Sequence, residues 1–177
     1  MSGLLPDLPP GRVLRVVRAP SRALSQPSLD VDPRADDVVR LAADLLATQR
    51  SAPGCVGLAA AQVGRAARVF SLDVTGHPKT GVCHGAVVLV NPVVVESSRP
   101  ERGREGCLSV PDLTGDVRRA SRLVVTGSIP GTGESVTLST DAFEARAVQH
   151  EIDHLDGLLF LDRVAGAHAL HARRVYL

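Results

Sequence analysis

Tryptophan is absent from the 177-residue chain, tyrosine occurs once and phenylalanine three times. A surface that stacks nucleobases needs several aromatic rings, so single-stranded nucleic acid is a poor fit as a ligand. The core must be assembled from Val, Leu and Ala. Charge imbalance is lacking too: 20 basic against 19 acidic residues leave a net charge of +1, which argues against dedicated nucleic-acid binding. The densest basic group, Arg118, Arg119 and Arg122, reads as a solvated face. Long apolar runs are also missing. The start MSGLLPDLPPGRVLRVVR breaks both of its apolar clusters with Pro and Arg, leaving neither a signal-peptide core nor a membrane span, so no membrane attachment is expected. Cysteine occurs three times, at Cys55, Cys83 and Cys107; an odd, widely spaced set does not make a disulfide framework and fits a reducing compartment. The expected location is the cytoplasm of a bacterial-type cell, with an Arg-rich organellar address as the alternative. The sequence carries no marker of oligomeric state.

What is present suits one globular domain. Apolar residues make up 44% and charged residues 22%, ordinary usage for a chain long enough to bury a core without staples. Residues 1–11 are expected to be a loose, flexible terminus and residues 12–177 a single catalytic domain. DPRADDVVRLAADLLATQR at 32–50 predicts an amphipathic helix with Asp32 as N-cap, Pro33 at the first helical position, and Val38, Leu41, Ala42, Leu45 and Leu46 on the buried face. CVGLAAAQVG then reads as small, buried chain in close backbone contact. Strands are predicted at 67–74, 85–95, 122–129 and 134–140, the last two joined by PGTG as a hairpin. The intervening SSRPERGREGCLSVPDLTGD reads as a loop with an embedded cysteine. A second helix is predicted from Asp141, with Glu144 completing a D-x-x-E capping box, to Gly157 as its stop. The fold class is therefore α+β: antiparallel strands packed around a central helix.

That second helix contains QHEIDH at 149–154. Positions four apart lie about 40° from each other around the helix axis and about 6 Å along it, so His150 and His154 can turn their imidazoles to one metal ion. Glu151 can reach a water on that ion without ligating it. Ala145, Val148, Ile152 and Leu155 form a separate apolar stripe, while Phe143 and Ala147 fall on the histidine side. Of Asp153 and Asp156, one is expected to accept an imidazole N–H and the other to face solvent or an ion pair. Two histidines leave a third ligand to find. Zinc peptidases usually take theirs from a downstream Glu or His. Only Asp162, His168 and His171 remain downstream, no Glu is among them, and position 160 is Phe. Upstream, Cys107 stands in EGCLS.

Three stretches, CVGLAAAQ at 55–62, EGCLS at 105–109 and QHEIDH at 149–154, resemble in order and separation the motifs of the peptide deformylase family. The resemblance extends from about Val13 to Val164, and the second and third motifs match completely. The first departs from G-x-G-L-A-A-x-Q, because Cys55 stands where the first glycine is expected. That substitution touches the rim of the substrate pocket.

The resemblance implies that Cys107, His150 and His154 ligate one divalent metal, ferrous iron by family habit, with zinc, nickel or cobalt as substitutes. It implies removal of the formyl group from N-terminal formyl-methionine of nascent polypeptides, with Glu151 as the proton carrier. Oxyanion donors would be the Gln62 side-chain amide and the Leu108 backbone N–H, each such donor typically being worth about 3 kcal/mol. Gly57 and Gly106 would meet an extended peptide, and Val56, Phe143 and Ala147 would line a recess for the methionine side chain. Glu105 would pair with Arg119 in a structural role. Formyl-methionyl N-termini are the expected partners, with ribosome association a further expectation. Two other readings compete: a zinc metallopeptidase, and a deformylase-like module that binds without catalysing, motivated by Cys55 and the short tail after Asp162.

Overall fold

The computed structural model describes residues 4–173. The first helix, α1, spans Asp36–Ser51, starting three residues later than the sequence suggests. Asp32 does not cap it. Its carboxylate accepts from the Arg34 N–H at 2.9 Å and its carbonyl from Ala35 at 3.1 Å, so Asp32 forms a local turn, one of the alternatives that short acidic side chains offer the backbone. The predicted apolar stripe of α1 is buried throughout.

After α1 come β1 (Gly57–Ala59), a 3₁₀ turn at Ala60–Val63, β2 (Val69–Leu72), β3 (Val87–Cys107), β4 (Val110–Ser128) and β5 (Ser135–Asp141). They pair antiparallel in the order β1-β2-β3-β4-β5. The second helix, α2, spans Ala142–Leu155, and β6 (Leu170–Ala172) returns to pair with β4. The two central strands explain why VVLV shows no polar alternation. Phe70, Leu72, Val87 and Leu89 face Ala145, Val148, Ile152 and Leu155 of α2, whereas Val69, Val88 and Val90 face Val38, Leu41 and Leu45 of α1. A sheet covered by helices on both faces needs apolar residues at every position. Leu5 and Leu8, in the segment expected to be loose, rest against the α1 cluster.

The largest departure from expectation lies at 96–115. The segment read as a loop is a long antiparallel ribbon, paired from Glu96↔Val124 to Gly106↔Thr114, and it lengthens two strands predicted to be short. Residues 96–102 are exposed at every position, so no buried face imprints a two-residue rhythm on their sequence. The ribbon delivers Cys107 to its tip. There Leu108 and Ser109 make the turn, and the register slips between Gly106↔Thr114 and Cys107↔Val110. Irregularities of this kind re-aim side chains beside sites.

α2 also begins differently. Asp141 occupies the N-cap position but makes no side-chain cap bond, and Glu144 accepts instead from the backbone N–H of His84 and from its ring at 2.9 Å each. The capping box is not formed. The C-terminus follows expectation: Gly157 has φ +76, its N–H donates to His154 O, and Leu158 N–H donates to Asp153 O at 2.8 Å. This left-handed stop closes the helix one turn after His154. No helix among the described residues is long and apolar enough to cross a membrane.

Candidate active site

α2 and the tip of the β3–β4 ribbon bring Cys107, His150 and His154 together, with one donor atom from each lying within 4.8 Å of the others. Cys107 Sγ is 3.3 Å from His154 Nε2. Thiolate and imidazole ligands at about 2.3 and 2.0 Å on a tetrahedral ion would sit about 3.5 Å apart, so the donors are already spaced for one cation. Charge agrees with spacing. Burial works to lower the His150 imidazole, but Cys107 and Glu105 outweigh it and hold the ring well above its ordinary pKa. Burial and the neighbouring His150 push His154 well below its own.

His150 is oriented from behind. Its Nδ1 lies 2.9 Å from Glu105 Oε2, which leaves Nε2 for the ion. Glu105 is gripped by Arg119, with Nε and Nη2 at 2.9 and 3.0 Å, and by Arg146 Nη1 at 2.8 Å. Burial favours the neutral acid, yet hydrogen bonds from His150 and Arg119 prevail and hold Glu105 well below the usual carboxylate range. Arg119 continues to Asp153, which Arg163 also engages at 2.7 Å. The expectation for the helix acids is half met: Asp156 is exposed and pairs with Arg68 at 2.7 Å, whereas Asp153 serves two arginines and Glu105 takes the imidazole-acceptor role. Arg119, read from sequence as part of a solvated basic face, is 6% exposed. Its immediate neighbours in sequence gave no signal of that burial, whereas its offset from the cysteine motif did.

Glu151 is 3% exposed, and its Oε2 has no hydrogen-bond partner among the described residues. Burial pushes its carboxyl up to about 7. This carboxyl borders the same cavity as Cys107 and His150. Gln62 comes from the 3₁₀ turn after β1. Its Oε1 accepts from Ala59 N–H at 3.0 Å, which fixes the amide so that Nε2 points to Ser109 Oγ at 3.2 Å and Cys107 Sγ at 3.4 Å. Ser109 was not singled out from sequence, although it belongs to the EGCLS motif.

Gln62, Glu105, Cys107, Arg146, His150 and Glu151 line one cavity of about 740 Å³. Val56, Gly57, Gly106, Leu108, Phe143 and Ala147 all border it, as the sequence motifs suggest. Cys55 borders it as well, donating to Gly57 O at 3.1 Å, with its thiol pushed up to about 12 by burial and by Glu151. Its Sγ is not among the three donor atoms that lie together, and it serves as a hydrogen-bond donor at the rim. Glycine at 57 is sterically required: a Cβ there would stand 2.5 Å from Glu151 Oε1. We expect Gly57→Ala to displace Glu151 and lower kcat at least about tenfold, since ångström-scale displacement of reacting groups is costly. Metal content, measured on the same sample, should be unchanged.

Two imidazoles and a cysteine placed so that they could hold one ion, with an ionisable carboxyl alongside, suit hydrolysis at a metal, and the class is metallohydrolase. A model of the polypeptide deformylase family matches residues 13–169, so the chain belongs to that family. Peptide deformylase 2 of Gloeobacter violaceus is 43% identical over 150 residues, 84% of this chain and 78% of its own length. The fold is similar to that of an Acinetobacter baumannii peptide deformylase solved with Met-Ala-Ser bound, with a TM-score of 0.78 at 37% identity, covering 85% of this chain and 99% of that one. A peptide deformylase from Synechococcus elongatus in complex with actinonin gives 0.77 at 34% identity, covering 88% and 81%. The zinc-peptidase reading gives way to this membership. The remaining alternative, binding without catalysis, is a matter for turnover.

Proposed function

We propose that the chain hydrolyses the formyl group from N-terminal formyl-methionine of newly made polypeptides, giving formate and a free amine, with Cys107, His150 and His154 as the ligands of one divalent cation. The observation that carries this reading is the convergence of a strand-borne cysteine with the two helix histidines beside the unpartnered Glu151 carboxyl. Ferrous iron is the proposed cation; intrinsic affinity does not favour iron at a thiolate and two imidazoles, so availability must decide. When bound, the cation supplies Lewis acidity and makes water acidic enough to lose a proton near neutral pH.

The protein's own groups do the rest. Glu151, with a carboxyl near 7, takes a proton from the attacking water as the new C–O bond forms at the formyl carbon. It returns that proton to the leaving nitrogen as the C–N bond breaks. Gln62 Nε2–H and Leu108 N–H donate to the oxyanion that develops between these events. Gln62 is held by Ala59, and its Nε2, which donates to Ser109 Oγ and Cys107 Sγ in the structure, exchanges one of these bonds for the oxyanion. Leu108 follows Cys107 directly, so ligand and oxyanion donor share one turn of backbone. Gly57 and Gly106 flank the extended peptide, and Val56, Phe143 and Ala147 take the methionine side chain. Glu105 and Arg119 position His150. Formylated chains emerge at the bacterial ribosome, which makes the cytoplasm the proposed location and ribosome association a corollary.

The test is formate release from formyl-Met-Ala-Ser by anaerobically purified protein, since ferrous iron and the cysteine both oxidise in air. The expected result is stoichiometric formate with no cleavage of casein. Metal-loaded protein that releases no formate would support the non-catalytic reading instead.

A further inference from the structure

The chain as a whole is nearly neutral, but the mouth of the catalytic cavity is not. Two acids line the cavity, Glu105 and Glu151, and both are buried at its inner end, 6% and 3% exposed. The Glu105 charge is taken up by Arg119, Arg146 and His150. The lining residues that carry charge to solvent are Lys79, Arg104 and Arg173. They come from different walls. Lys79 sits on the loop after β2, where its N–H donates to His77 Nδ1, and the His77 ring stacks on Phe143 of α2 at 4.0 Å. Arg173 follows β6, which the pairing Leu113↔Ala172 ties to β4. Its Nη1 reaches Cys107 O at 3.4 Å, and a Cβ on Gly106 would stand 2.5 Å from its Nη2, so the guanidinium lies over the strand edge that flanks the site. Among the described residues neither Lys79 nor Arg173 is paired with a carboxylate. Arg104 has Asp116 at 2.6 Å, but Arg102 shares that acid at 3.0 Å, so the pair does not neutralise the rim.

We infer that this rim reads carboxylates: Lys79, Arg173 and Arg104 make the enzyme favour formyl-methionyl chains with Asp or Glu at the second or third position after methionine. The inference rests on the deformylase reading of the same cavity. A peptide with its formyl carbon beside Glu151 and its first side chain in the recess must leave through the mouth. Extended chain rises about 3.3 Å per residue, so the second and third residues after methionine travel about 7–10 Å and pass the rim. Lys79 and Arg173, which have no carboxylate partner among the described residues, act within the Debye length of about 8 Å at physiological salt. Complementary charge at a rim sets specificity and encounter rate more than tight binding.

The experiment compares kcat/KM for formyl-Met-Ala-Glu-amide, formyl-Met-Ala-Gln-amide and formyl-Met-Ala-Lys-amide on the metal-loaded enzyme. The amides remove the terminal carboxylate, which would otherwise engage the rim itself. At low salt the Glu peptide should exceed the Gln peptide about fivefold, with Lys slowest, and the preference should shrink toward unity in 0.5 M salt. The Glu/Gln ratio, taken within each variant, should fall below about twofold in the Lys79→Gln, Arg173→Gln double variant and persist in Arg173→Lys. A ratio is independent of how much of each preparation is folded or loaded with metal. Equal rates for the three peptides, or a preference that survives the double variant, would overturn the inference while leaving deformylation intact. Absence of formate from all three would overturn the activity on which it depends.

Discussion

Glu151→Gln should keep its metal and lose its activity. Formate release is expected to fall about 10³-fold, inside the 10²–10⁴ range that a positioned general acid–base supplies. The reasoning is geometric. Glu151 is not among the three donors, and its Oε2 is buried without a partner among the described residues, so the amide removes the proton carrier and leaves the ligands where they are. Glutamine preserves shape and burial but cannot accept a proton at a carboxyl near 7. Paired metal analysis and kcat/KM on one anaerobic sample separate this from simple loss of the site. Near wild-type formate release by the variant would sink the assignment of Glu151.

The second large effect is on stability and metal together. Glu105→Ala should cost about 3 kcal/mol of folding free energy, because it strips one buried carboxylate from Arg119 and Arg146 at once. Arg119 retains Asp153, which is why the lower end of the range for a broken buried pair applies. For a chain of this size that loss lowers the melting temperature by roughly 10 °C. The same change frees His150 Nδ1, and loss of such an outer partner typically weakens metal affinity about 10–100-fold. The two readouts, a melt and a metal titration, should therefore move in concert. Acid should close the stability gap between the two proteins. Glu105 is depressed below its ordinary value of 4.5, so its stabilisation is complete above that pH and is lost as pH falls through the depressed value.

Much of the site was legible before any coordinates. The helix spacing placed His150, Glu151 and His154 on one side of α2, the EGCLS motif supplied Cys107, and Gly157 ended the helix where a left-handed residue was needed. What the sequence concealed shares a physical origin: it depends on partners distant in the chain. Glu144 looked like half of a capping box because the competing donor, His84, is 60 residues away. Asp32 looked like a helix cap because Asx turns and N-caps draw on the same side chain. The outer part of the β3–β4 ribbon, residues 97–116, reads as a loop because its exposed residues alternate nothing apolar. Arg119 looked solvated among other arginines, and only Glu105 and Asp153, brought from another strand and from α2, account for its burial. Arg173 drew no attention at all, since its position over Gly106 follows from the pairing of β6 with β4.

Cys107 is what separates the proposed metal centre from that of a peptidase with the same helix, and one measurement addresses it directly. Metal content and formate release are determined on anaerobically purified wild-type protein and Cys107→Ala. The wild type is expected to carry one divalent ion per chain and to release formate from formyl-Met-Ala-Ser, and the variant to lose both. A Cys107→Ala protein that holds a stoichiometric ion with unchanged affinity would place the third ligand elsewhere and contradict the account.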